Sequence, residues 1–253
     1  MKLYLELGAP GARRAAARGD VTVIIDALRA STTICAALAA GAVRVKTVLT
    51  VGEALAFCDN PSYCIVGERG GVKVDGFQFG NSPVELLANR DEIEGKTVVI
   101  TTTNGTRCIN AALSAAAHSA DTQGAGAILI GAPANAAAVA YAAFSLAQAN
   151  GCDVTLVAAG LHDQARDEDM FSQALLAHRL RALGAHPPDD LPTLDEANSP
   201  DVFLRAESGQ YLIGLGYEAD VHLCAEIDRW DLAPIYCQGY LVEATQSQLF
   251  DLQ

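Results

Sequence analysis

The chain has 253 residues, 51% hydrophobic and 19% charged, a balance that describes a folded, core-forming protein with room for one large α/β domain or two small ones. Seventeen basic residues against thirty acidic ones leave a net charge of -13, which argues against a nucleic-acid backbone as the principal partner. The opening MKLYLELGAPGARRAAARGD lacks an unbroken signal-peptide core and no run of eighteen apolar residues occurs, so the chain is expected to be neither secreted nor membrane-spanning.

The first strong element is VTVIIDAL, Val21 to Leu28, a continuous apolar run of the kind that forms a buried strand. STTICAALAAGA follows as a helix, with Ser31 or Thr32 expected as its cap and Gly41 as its end. A strand near Arg44 to Leu49, a helix near Val51 to Cys58 and a short strand at Tyr63 to Val66 come next. The last runs into GERGGVKVDGFQFGNSP, read as a glycine-rich loop. Glycines let a backbone approach a ligand closely, and the ordering entropy of such a loop is not repaid by packing.

Ser82 and Pro83 then mark the start of a helix, VELLANRDEI. TVVITTTNGTRCINAALSAA reads as strand, loop and helix, and AILIGA as a strand before a helix over 134–150. The strand DVTLVAAG and the helix DEDMFSQALLAHRLRALG follow. The proline-bearing stretch Gly184 to Pro200 is the one linker-like segment, and three helical stretches and the strands of APIYCQGYLVEA close the chain. Alternating strands and helices predict an α/β fold: three layers, α/β/α, around a mostly parallel or mixed sheet. We expect a single domain over 1–253, with division into two similar halves, near 125–135 or 184–200, left open.

In open α/β sheets, ligands bind where strand ends meet helix starts, and three such junctions are unusually polar: DALRASTT, TTTNGTR and GLHDQARDED. Asp26 ends a buried strand, where a carboxylate needs a cation or strong donors; it is a candidate metal ligand or nucleophile. Arg29 and Arg107 follow strand ends, where a guanidinium fork can grip an oxyanion. With Arg69 and Lys73 they predict a cationic pocket in an acidic protein. Thr101, Thr102, Thr103, Asn104, Gly105 and Thr106 bring hydroxyls, an amide and backbone N–H groups to a helix start, an anion site. Asp167, Glu168 and Asp169 open a helix, where the dipole favours them, and one or two of them facing inward could hold magnesium with substrate phosphate. His162 is the one histidine near this acidic cluster.

Several familiar chemistries are missing. EGKT at Glu94 has Arg90 where a phosphate-binding loop needs glycine, and GAGAIL at Gly124 lacks the third glycine of a dinucleotide fingerprint. No second aspartate follows Asp26 two positions on, as haloacid-dehalogenase-type phosphatases require. Seven cysteines, no two closer than six positions, form no C-x-x-C pair and predict reduced, packed thiols in the cytoplasm.

Taken together, DALRASTTI, GERGGVKVDGFQFGNSP, TTTNGTR, the acidic EDM segment at Glu168 to Met170, and the tail SGQYLIGLG…DVHLCAEID resemble the 2-phosphosulfolactate phosphatase family over nearly the whole chain. The resemblance implies an α/β/α, magnesium-dependent phosphatase that converts 2-phosphosulfolactate to sulfolactate and phosphate on a route to coenzyme M. On that reading Asp26, Glu68 and Asp169 hold Mg2+, with Glu168 as alternate. Arg29, Arg69, Lys73, Asn104 and Arg107 serve catalysis; Thr32, Gly70, Gly71, Asn81, Thr102, Thr103, Gly105 and Thr106 bind substrate. A phosphatase for another phosphorylated acid, or a binding protein for an anionic metabolite, stays open. A homodimer is the base-rate expectation.

Overall fold

The computed structural model describes residues 1–118 and 126–244. Its strands are β1 (Leu3–Leu7), β2 (Val21–Ile25), β3 (Arg44–Thr47), β4 (Tyr63–Arg69), β5 (Val72–Lys73), β6 (Thr97–Thr101), β7 (Ile128–Gly131), β8 (Val154–Ala158), β9 (Pro234–Cys237) and β10 (Tyr240–Glu243). The α-helices are α1 (Gly8–Arg18), α2 (Ala30–Ala39), α3 (Val51–Leu55), α4 (Pro83–Ala88), α5 (Arg90–Ile93), α6 (Gly105–His118), α7 (Ala136–Asn150), α8 (Asp167–Leu183), α9 (Ser199–Arg205), α10 (Glu207–Gly214) and α11 (Glu218–Cys224).

All ten described strands join one sheet in the order β1-β8-β2-β7-β9-β10-β3-β6-β4-β5. Two parallel blocks, β1-β8-β2-β7 and β3-β6-β4, are linked through the antiparallel hairpin β9-β10. Alternate side chains of a strand face opposite ways, and β2 shows the result. Val21, Val23 and Ile25 pack with α7 and α8, while Ile24 packs on the other face with α1, α2 and α6. The fold is therefore the expected three-layer α/β/α arrangement. Strands buried on both faces explain the near-continuous apolar runs of β2, β6 and β8. A smaller cluster around Phe203, Leu212, Val221 and Cys224 gathers α9, α10 and α11 beside Ala27, just beyond the end of β2.

Local structure departs from the sequence reading in four places. The first eighteen residues supply β1 and α1, unassigned from sequence because a five-residue strand and a glycine- and alanine-rich helix carry little signal. α2 starts at Ala30 with no side-chain cap at Arg29. The Ser31 hydroxyl instead accepts from the Asp26 N–H at 2.9 Å, and Thr32 Oγ1 donates to Ala27 O, so both bind the turn that carries the carboxylate. The stretch expected as VELLANRDEI is two short helices broken at Asn89, although Ser82 does cap the first through Glu85 N.

The glycine-rich segment is also not purely a loop. β4 continues to Arg69 and turns through Gly70 and Gly71, φ +60° and +79°, into β5, pairing Glu68 with Lys73. Two successive positive φ angles are what a tight two-residue hairpin turn requires, and glycine adopts them without a Cβ penalty. Of the two expected division points, the one at 125–135 begins outside the described residues. In the other, Leu191 and Leu194 pack against the α7–α8 core.

Candidate active site

Asp26 follows β2 directly and is 8% exposed. Its Oδ1 accepts from Ala30 N at the start of α2, and its other partner is the Gly105 N–H at the start of α6. The close approach needs glycine at 105: a Cβ there would stand 2.8 Å from Asp26 Oδ2 and 2.9 Å from Ala30 Cβ. Asp169, in the first turn of α8, accepts from Ala27 N and Gly160 N, each at 2.8 Å. It thereby ties the ends of β2 and β8 together.

Glu68 performs the same task for the other block. It accepts from Gly71 N in the hairpin turn and from both the N–H and the hydroxyl of Thr103 beyond β6. Glu168 is 3% exposed, with Ser208 of α10 as its side-chain partner, and its Oε2 is buried without a hydrogen-bond partner.

These four carboxylates line one cavity of about 550 Å³. Burial, followed by the charges of Glu68 and Glu168 acting against backbone hydrogen bonds from Ala30 and Gly105, pushes Asp26 up to about 6. Burial together with the charges of Asp26 and Glu168 raises Asp169 well above the usual carboxylate range. Burial also raises Glu168, opposed by Ser208 and by the charge of Arg166. None of the four is ion-paired among the described residues. No group of three His, Cys, Asp or Glu side chains among the described residues is gathered closely enough to enclose a metal ion as they stand. Burial pushes the nearby Cys108 thiol up to about 12, so it offers no thiolate at neutral pH.

The structure brings Arg29, Gly70, Gly71, Asn81, Thr102, Thr103 and Asn104 to the cavity wall along with the carboxylates. Asn81 Oδ1 is buried and unpartnered. Asn104 Oδ1 accepts weakly from His162 N at 3.4 Å, which draws the Gly160 loop towards α6. Thr32, Gly105 and Thr106 stand behind the wall as supports: Thr106 Oγ1 donates to Thr102 O at 2.8 Å.

The cations are not gathered as expected. The Arg69 guanidinium donates to Glu68 O, Thr101 O, Thr101 Oγ1 and Leu49 O, binding β4 to β6 outside the cavity. Lys73 is exposed on the hairpin, and Arg107 is 44% exposed with Asp163 3.8 Å away. Neither lines the wall. Sequence reading missed Arg166, Glu207, Ser208 and Tyr211, which close the cavity from the α8 and α10 side. The Tyr211 hydroxyl donates to Gly70 O at 3.0 Å. The one sequence signal for this wall was the tail beginning SGQY, which carried likeness but no assigned chemistry.

Comparison with known proteins covers the same elements. The family model described as 2-phosphosulpholactate phosphatase matches residues 10–239. A relative from Carboxydothermus hydrogenoformans is 34% identical over 233 residues, covering 90% of this chain and 89% of the relative. One from Deinococcus radiodurans is 33% identical over 227 residues, with 87% and 89% covered. One from Clostridium acetobutylicum is 31% identical over 251 residues, 96% of this chain and 100% of the relative. All three carry the name "Probable 2-phosphosulfolactate phosphatase". The match takes in every element that contributes to the cavity wall, and the chain belongs to the 2-phosphosulpholactate phosphatase family.

Proposed function

We propose that the protein is a phosphoric monoester hydrolase that uses Mg2+ to cleave 2-phosphosulfolactate into 3-sulfolactate and phosphate. The observation that carries the reading is the set of four buried carboxylates at one cavity, without an ion-pair partner among the described residues, in a member of this family. Buried carboxylates gathered at one site are relieved either by taking up protons or by a counter-cation, and a cation lets them stay ionised at neutral pH. Hard carboxylate oxygens with an unsatisfied Glu168 Oε2 suit magnesium, whose shell combines one or two carboxylates with water and substrate phosphate. Asp26 and Asp169 would hold the ion, with Glu68 and Glu168 beside them. A bound Mg2+ would act as a Lewis acid on a phosphoryl oxygen.

The chain's own groups do the rest. Arg29 and Arg166 offset the charge of a substrate that carries phosphate, carboxylate and sulfonate. Leu28, Leu161 and Leu212 in the wall exclude water and strengthen those interactions. Asp26, raised to about 6 by burial in the metal-free site, is still mostly ionised at neutral pH and so available as a ligand. All seven cysteines are unpaired, in keeping with work in the cytoplasm. There the reaction would belong to a route to coenzyme M.

The test is phosphate release from synthetic 2-phosphosulfolactate, with Mg2+ and after chelation, beside a panel of other phosphorylated hydroxy acids. Release that requires the metal and favours the sulfonated ester is expected. Calorimetric binding without phosphate release would make the protein a metabolite sensor instead, and undiminished turnover after exhaustive chelation would remove magnesium from the mechanism.

A further inference from the structure

Arg166 precedes the first turn of α8 in extended conformation, φ -126° and ψ 138°. Its side chain lines the cavity and is 19% exposed, and one terminal nitrogen pairs with Glu207 at the start of α10. Its Nε is buried with no hydrogen-bond partner. Two positions along, Glu168 Oε2 is buried and unpartnered too. An orphan donor and an orphan acceptor on one cavity wall that do not satisfy each other are groups that a ligand or ordered water entering the cavity can satisfy.

The other cavity arginine is held differently. Arg29 is 2% exposed, paired with Asp220, donating to Gly71 O and lying under the Tyr217 ring at 4.2 Å. Among the described residues the ion-pair partner of Arg166 is Glu207, whose side chain is 80% exposed. Such an exposed ion pair is weak and exchangeable.

We propose that Arg166 is the specificity-determining residue that receives the substrate's sulfonate, and that Glu207 holds its place until substrate arrives. This rests on the reading of the site as a phosphosulfolactate phosphatase. In that substrate the carboxylate is bonded directly to the phosphorylated carbon, whereas the sulfonate is set one methylene further away. With the phosphate held at the carboxylates by a bound cation, the extra methylene would give the sulfonate the reach to meet Arg166, which lines the same cavity. A guanidinium offers it two parallel donors.

The experiment compares 2-phosphosulfolactate with 2-phospholactate, which carries a methyl where the sulfonate arm would be. Arg166→Gln should lower kcat/KM for the sulfonated ester by about tenfold or more, chiefly through KM, and lower it for 2-phospholactate by a clearly smaller factor. Arg166→Lys should recover part of the loss. Calorimetric binding of 3-sulfolactate provides a second readout, weaker in Arg166→Gln and equal or tighter in Glu207→Gln, with lactate indifferent to both changes. Equal losses on both esters, or sulfolactate binding untouched by Arg166→Gln, would overturn the assignment. A wild-type protein that hydrolyses neither ester defeats the catalytic reading alone, because the binding arm still decides whether Arg166 selects the sulfonate.

Discussion

Arg29 and Asp220, 191 residues apart, form a 2.7 Å ion pair in which both side chains are only 2% exposed. Asp220 Oδ1 also accepts from the Ser82 hydroxyl and Val84 N, and Arg29 donates to Gly71 O. One buried pair thus fastens the turn after β2, the β4-β5 hairpin, the start of α4 and the helix α11.

Removing one partner strands a buried charge. Asp220→Ala should therefore destabilise the protein by about 3–5 kcal/mol, measured as the shift in urea midpoint at constant slope. Arg29→Met combined with Asp220→Leu should regain much of that stability while phosphatase activity stays low, since Arg29 lines the cavity. An Asp220→Ala protein as stable as wild type would mean that the pair is not what joins these elements.

The acidic cluster makes stability depend on pH and metal together. Burial and neighbouring carboxylates raise Asp26 from 3.8 to about 6. Between those values the folded state holds a proton that the unfolded chain has released, so this contribution to stability is full at low pH and declines as pH rises through 6. Above it, the ionised group costs on the order of 3 kcal/mol. Mg2+ should raise Tm at pH 8 and have little effect at pH 5. Asp26→Asn should raise the metal-free Tm at pH 8 and shrink the Mg2+ increment. A Tm indifferent to Mg2+ at both pH values would count against these carboxylates as its ligands.

Gly105 packs against both Asp26 and Ala30, and a methyl group has no room there. Gly105→Ala should cost about 1–3 kcal/mol through overpacking, and it should weaken Mg2+ binding by displacing the Asp26 carboxylate. Titration calorimetry against Mg2+ checks this, and unchanged affinity would mean that α6 does not position Asp26.

Arg107 offers a contrasting case. Its exposed contact with Asp163 should be worth well under 1 kcal/mol, so Arg107→Ala is expected to leave stability and kcat/KM nearly unchanged. A tenfold loss of kcat/KM would place its guanidinium on the substrate during turnover.

Much of this arrangement was legible in the sequence. The continuous apolar run of β2 announced a buried strand, β6 and β8 read as strands, and the polar residues after β2 and β6 supplied Asp26, Thr102, Thr103 and Asn104 to the cavity. What one chain position could not convey was the direction of each side chain. Glu68 and Arg69 are neighbours in a strand, so when one faces the cavity the other must face away. Arg107 lies two residues beyond Gly105, about 200° around the helix, on the opposite side from Asp26. Arg166 lies in the polar GLHDQARDED junction and Ser208, Tyr211 and Asp220 in the tail that carried the family likeness, but neither stretch assigned these residues a role. Their contribution arises only when α9, α10 and α11 fold back over the end of β2.

The hairpin β9-β10 lies in the middle of the sheet yet is encoded after every strand it joins. In chain order, both parallel blocks are complete before residues 234–243 supply the strands that join their inner edges. Asp26 belongs to one block and Glu68 to the other, so the last pair of strands in the chain fixes the spacing between the two sides of the carboxylate centre.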